Sequence, residues 1–262
     1  IRRPPRSTQG VSSAASDVYK RQIIHRNKSI GITTCLYMNR EDLSMNRETQ
    51  KIPLFPLSTV LFPGGTIPLQ IFEDRYHSMI QDCLESNSKF GVVLIKEGKE
   101  VGGAAVPHKV GTLAKITQMR EISQNRLYLT AVGETRFTIL ELIEEKAYLE
   151  ALVETHAGDS SEEVTEKSKQ DAQTAAASHL KSIVNLNGGW VRAAETPIPS
   201  EPEKLSFFLG QLLQGSNKIR QEILEESSAA KRIELCLILL KREARSLTST
   251  LNMDLLFKFS RN

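Results

Sequence analysis

Cysteine is scarce in this 262-residue chain, with Cys35, Cys83 and Cys236 odd in number and far apart. That usage excludes a disulfide-stapled fold and suits a reducing compartment, so a cytoplasmic location is expected. Histidine is hardly richer, at five residues. His77 and His108 have no Cys-x-x-Cys or His-x-x-x-His partner, which favours structural roles and leaves an expectation of no metal and no cofactor. The pattern G-x-x-x-x-G-K followed by Ser or Thr is missing, and with it the P-loop that cradles nucleotide phosphates. Ser58 and Ser206 lack a nucleophile elbow. No run reaches the roughly 18 apolar residues of a membrane span. These absences lead to the expectation that the chain is not an enzyme and not a membrane protein.

Charge is unevenly placed. The whole chain has a formal net charge of +3, yet residues 1–50 carry nine Lys or Arg against four Asp or Glu, which leaves the remainder at −2. A slightly acidic body argues against a broad phosphate-binding surface, so nucleic acid is not the expected partner. Arg2 to Gln22 is polar and Ser-rich, with no sustained apolar period. It reads as a disordered or non-native leader of adaptor-like sequence, with Met38 or Met45 as a native start. An organellar transit peptide is the competing reading. The leader is set at residues 1–49.

What the chain does possess begins at Ile52 to Tyr76. Pro53, Pro56, Pro63 and Pro68 each fix φ and remove a ladder donor, so the apolar arms are expected as short, interrupted strands at a sheet edge or closure. Gly64 and Gly65 supply a tight reversal. Asp74 is placed to cap a helix with Tyr76, Met79, Ile80, Cys83 and Leu84 on its apolar face. Phe90 to Ile95 reads as a buried strand and Glu97 to Pro107 as a connection. Val110–Met119, Arg126–Val132, Arg136–Ile143 and Tyr148–Val153 read as successive strands, which makes a meandering or pseudo-barrel sheet over residues 50–156.

Residues 157–163 shift to Gly, Asp, Ser and Glu, a linker composition. A helical unit is expected over residues 164–248, with a C-terminal tail at 249–262. Its first helix would carry Val164, Ala172, Ala176, Leu180 and Val184 and stop at Asn187-Gly188-Gly189. Ser200 with Glu203 has capping-box spacing before the stripe Leu205, Phe208, Leu209 and Leu212, and Ser216 is placed to cap the next helix. Ile233, Cys236, Leu237 and Leu240 mark a last helix, and the set is expected to pack as a bundle.

Several motifs recur in a recognisable order: Leu54-Phe55-Pro56-Leu57, Val60-Leu61-Phe62-Pro63-Gly64, Pro68-Leu69, Ile71-Phe72-Glu73 and Arg75-Tyr76. Phe90-Gly91-Val92-Val93, Val110-Gly111-Thr112 and Gly133-Glu134-Thr135-Arg136-Phe137 follow. In that order and spacing they resemble the N-terminal, substrate-binding domain of the Lon protease family. The resemblance covers nearly all of the chain after residue 50. It implies an α+β fold, a PUA-like β pseudo-barrel subdomain with one helix followed by a C-terminal helical bundle. It also implies a stand-alone relative of the binding domain without ATPase or protease modules, one that recognises unfolded or exposed apolar polypeptide. A role in protein quality control or as an accessory to an energy-dependent protease goes with it.

Candidate residues divide accordingly. Phe55, Leu57, Leu61, Phe62, Ile67 and Leu69 read first as core. The competing reading puts some of them along an apolar peptide groove beside an unpaired strand edge. Trp190, the one tryptophan, is either a plug between units or an exposed anchor for a partner. Gly64, Gly65, Glu73, Asp74 and Arg75 are structural candidates, the last three by capping and an ion pair. Two rival functions stay open. One is RNA binding by a PUA-like sheet, against which the scarcity of aromatic-basic clusters speaks. The other is a small-molecule-binding regulator, or an uncharacterised hydrolase, using a pocket between sheet and bundle.

Overall fold

Prolines decide how the first strand is used. In the computed structural model, which describes residues 49–103, 105–123, 126–156, 163–186 and 197–259, β1 (Thr49–Leu57) runs unbroken through Pro53 and Pro56. It changes partner midway. Thr49 to Pro53 pair antiparallel with β6 (Glu150–His156), and Leu54 to Leu57 pair parallel with β3 (Lys89–Gly98). Neither half is paired by strands on both sides, so a residue without an N–H is tolerated in each. The expectation of short, interrupted strands is therefore corrected for β1, which is continuous, while closure and edge positions are where the prolines lie. Pro68 sits in β2 (Thr66–Ile71), an edge strand paired only with β5 (Arg126–Ile143).

The sheet order is β2-β5-β4-β3-β1-β6, with β4 spanning Ala105–Ser123, and a further β5–β6 pairing closes it into a barrel. β5 makes closure possible through its length. Its first half pairs with β2 and its second half with β6. Two strands were expected here, with a turn at Gly133-Glu134-Thr135; one strand of 18 residues is found. A bulge opposite Leu113 and Ala114 bends it instead of breaking it. Ile52, Leu54, Val93, Leu113, Phe137 and Val153 bring all five mutually paired strands into one apolar cluster.

The opposite face of β1 and β3 is covered by α1 (Asp74–Glu85), whose Tyr76, Met79, Ile80 and Cys83 are buried. Phe55 stacks on Tyr76 with ring centroids 4.1 Å apart. Two details of this helix differ from expectation. Asp74 is its first residue, not its cap; Glu73 occupies the cap position without a side-chain bond to the helix's backbone N–H groups. Leu84 is exposed. Twelve residues give room for one apolar face, and Leu84 lies at its margin.

Four helices follow: α2 (Glu166–Leu186), α3 (Pro202–Leu212), α4 (Asn217–Glu225) and α5 (Ala229–Phe259). α3 begins without the expected capping box, because Pro202 takes the first helical position and Glu201 becomes the cap. Ser216 caps α4 as expected, its hydroxyl accepting from the Ile219 N–H at 3.5 Å. The helices do not form a core of their own. Val60, Phe62 and Leu94 of the β portion join Leu205, Leu209, Ile223, Ile233 and Leu240 in one cluster, and Asn46–Asn262 form one compact unit. The leader, the segment 157–162, the stop at Asn187-Gly188-Gly189 and Trp190 lie outside the described residues.

Candidate functional site

The turn after β1 is built to hold a helix against it. Gly64 has φ +78°, a left-handed conformation that glycine adopts without strain. Its N–H donates to the Gly133 carbonyl at 2.8 Å, fastening the turn to the bend in β5. From the other side Gln211 of α3 donates to the Pro63 carbonyl at 3.0 Å. Phe62 points inward and is 1% exposed. Its ring lies 6.5 Å from that of Phe207, and a Cβ on Gly210 would come within 2.8 Å of it. Gly210 therefore sets how closely α3 approaches the turn.

Beside this contact a groove of about 630 Å³ opens between the turn, the Gly133–Arg136 bend and α3 with its preceding residues. Pro63, Pro197, Pro199, Phe207 and Phe208 give it apolar walls, and Glu201, Glu203 and Lys204 lie along it. Lys204 pairs with Glu201 at 2.7 Å. The Arg136 guanidinium at the base is buried and donates to the Leu224 and Glu226 carbonyls at 2.9 and 2.7 Å, closing off the end of α4. Arg232 lies 4.2 Å from the Phe207 ring centroid and Arg136 5.9 Å. The groove accordingly offers apolar surface with a polar margin, the form of a ligand-binding cleft.

A second cavity, of about 600 Å³, lies at the start of α1. Arg75 binds Glu73 at 3.0 Å and the carbonyl of Gly103, while Gly102 donates to the same Glu73 carboxylate. Through these bonds the pair joins the start of α1 to the β3–β4 connection. Nearby, Lys146 donates to Asp82 at 2.6 Å and to the Tyr148 hydroxyl at 2.7 Å, and that hydroxyl donates to Asp82. Lys146 and then Tyr148 hold the Asp82 carboxyl below its usual range. Burial and then Asp82 push the Tyr148 hydroxyl up to about 12. A phenol held protonated in this way is a clamp between α1 and the β5–β6 loop, not a general base.

The sequence candidates fall mainly into the interior. Phe55, Leu57, Leu61, Phe62, Ile67 and Leu69 are all buried. They lie within the packed interior, and the groove beside α3 is lined by other residues, Pro197, Pro199, Phe207 and Phe208 among them. Phe207 and Phe208, which wall the groove, were read only as part of a helical stripe. Prolines on both sides of Ile198 were the available signal. Ser206 is buried, accepting from Arg232 at 2.9 Å and donating to the Glu203 carbonyl. The Ser58 N–H binds Glu100. His108 lies 3.4 Å from Glu225, linking β4 to α4. Burial pushes the Cys83 and Cys236 thiols up to about 12, away from nucleophilic use. Among the described residues no three His, Cys, Asp or Glu gather as a metal site, and no helix is long and apolar enough to cross a membrane.

Comparison with known proteins bears on this architecture. Residues 51–242 match the substrate-binding domain of the ATP-dependent protease La (Lon). Lon protease 2 of Myxococcus xanthus is 26% identical over 224 residues, covering 83% of this chain and 26% of that protein. The Lon protease of Chlamydia pneumoniae is 30% identical over 190 residues, covering 70% and 23% respectively. The chain thus spans about a quarter of the length of these relatives. A Lon N-terminal domain protein from Xanthomonas campestris superposes with a TM-score of 0.56 at 27% identity, covering 72% of this chain and 98% of that structure. The N-terminal domain of a Mycobacterium avium complex Lon protease gives the same score at 18% identity, with 73% and 98% coverage, a likeness of fold. With the match extending over most of its length, this chain belongs to the Lon substrate-binding domain family.

Proposed function

We propose that the chain binds exposed apolar segments of unfolded polypeptides, without catalysis of its own, in the groove between the Pro63–Gly64 turn and α3. The carrying observation is the partly open Phe208, backed by the buried Phe207, along a cavity of about 630 Å³ that Pro63, Pro197 and Pro199 also line. Aromatic and proline surfaces of this kind accept varied apolar side chains, as a recogniser of many unfolded chains requires. The family supplies the same direction, since relatives carrying this domain are named as proteases. An energy-dependent protease is accordingly the proposed recipient of the bound chain, in a quality-control role within the cytoplasm. Main-chain pairing to the β2 edge contributes little, because Pro68 has no N–H to offer a new strand.

The test is a titration of the full chain against a fluorescent, reduced and alkylated polypeptide that cannot refold. Saturable binding is expected, and Phe208→Ala is expected to weaken it about tenfold, the effect of removing one aromatic anchor. Equal affinity of Phe208→Ala and the parent protein, with both correctly folded, would remove the groove from the reading.

A further inference from the structure

At the far end of the sheet, β2, β5 and β4 lie side by side, and their cross-strand pairing gathers a surface that the groove does not use. Gln70, Tyr128 and Arg120 stand in one row, since Gln70 pairs with Tyr128 and Tyr128 with Arg120. Directly paired residues of antiparallel strands share a face. The Tyr128 hydroxyl reaches Gln70 at 3.4 Å. Phe72 follows the end of β2, and Ile122 sits at a bulge between Glu121 and Ser123. Phe72 is 46% exposed, Tyr128 43% and Ile122 55%. On the strand's other face Met119 is 49% exposed although its partner Leu129 is buried, so the β4–β5 hairpin overhangs the packed part of the sheet.

Arg120 and Arg126 flank these apolar residues, both exposed, and neither has an ion-pair partner among the described residues. Two cations beside two aromatic rings and an isoleucine make an apolar platform with a positive border. We propose that this platform is a docking surface for an acidic, apolar polypeptide segment, with apolar side chains over Phe72, Ile122 and Tyr128 and carboxylates on Arg120 and Arg126. Arginine suits this task because its planar fork binds a carboxylate through two N–H groups. Side-chain docking, not strand addition, is the mode, since Pro68 interrupts the donors along the adjoining β2 edge. The cluster is also the aromatic-basic arrangement the sequence did not reveal. A polypeptide fits it better than nucleic acid, because nucleic acid carries a charge about every 1.7 Å in duplex form and binds through many cations. Here there are two, on a body whose net charge after residue 50 is −2.

The experiment uses the full chain and three labelled probes: a peptide interleaving Asp, Glu, Leu and Phe, a matched peptide with Lys for the acids, and a single-stranded oligonucleotide. Fluorescence anisotropy at low salt is expected to show the acidic peptide bound at least about tenfold more tightly than the basic one, with the difference shrinking as salt rises. Arg120→Glu with Arg126→Glu is expected to invert that preference, and Tyr128→Ser to weaken both peptides. Phe208→Ala is expected to leave the preference for the acidic over the basic peptide unchanged, which separates this surface from the groove. Equal binding of the two peptides, an unchanged preference in the double variant, or displacement of the acidic peptide by the oligonucleotide would each overturn the proposal. So would loss of that preference in Phe208→Ala.

Discussion

Phe62 and Phe208 lie on opposite sides of a boundary that hydrophobicity does not draw. Both are phenylalanines in apolar stretches, Phe62 packed against α3 and Phe208 within it, yet Phe62 is buried between Phe207, Gly210 and Arg220, whereas Phe208 is partly open along the groove. Phe62→Ser is expected to lower stability by roughly 3–5 kcal/mol, the range for emptying a core aromatic site. Thermal melting checks this; a change below about 1 kcal/mol would mean the site is not core. Side-chain type alone could not separate these roles, because the helix that covers Phe62 comes about 140 residues later in the chain. Gly210, which admits the Phe62 ring, is unremarked in sequence for the same reason: its smallness answers a distant partner.

Elements were more legible than their ends and junctions. The stripe of Tyr76, Met79, Ile80 and Cys83 identified α1, and Ser216 marked the start of α4, because periodicity and capping are local properties. The joining of two expected strands into β5 was hidden, since Gly133 reads equally well as a turn or a bulge until its partner strand is known. The clamp of Asp82, Lys146 and Tyr148 was also invisible, its members lying on α1 and on the loop after β5. It gives these elements a shared pH dependence. Asp82 is depressed in the fold, so its contribution is present above the ordinary value of 3.8 and lost as pH falls through the folded one. Tyr148 and Lys146 are raised. Their contribution is complete below the ordinary values of 10.0 and 10.5; the tyrosine part disappears as pH climbs through about 12. In melting curves the parent protein is expected to exceed Asp82→Asn near neutral pH and to lose that margin below about pH 4. A margin that persists undiminished at lower pH would show that the carboxylate charge is not what holds the clamp.

For the whole molecule, the shared cluster of Val60, Phe62 and Leu94 with residues of all four later helices or their joining segments predicts joint unfolding. α4 reinforces it through bonds from Arg220 to the Val60 carbonyl and from Gln221 to that of Val110, both 3.0 Å long. Calorimetry and helix-sensitive circular dichroism are expected to report one coincident transition. Two separated transitions would show that sheet and helices hold their structures independently. The class of fold was readable from strands followed by helices, but this union was not, because a change of composition at residues 157–163 marks a connection and says nothing of what packs across it. The seam between β1 and β6 carries a further consequence for synthesis. Thr49 to Pro53 find their partners only at Glu150 to Glu154. A chain emerging from the ribosome must therefore keep its first strand waiting, with half its ladder unsealed, until some hundred further residues have appeared.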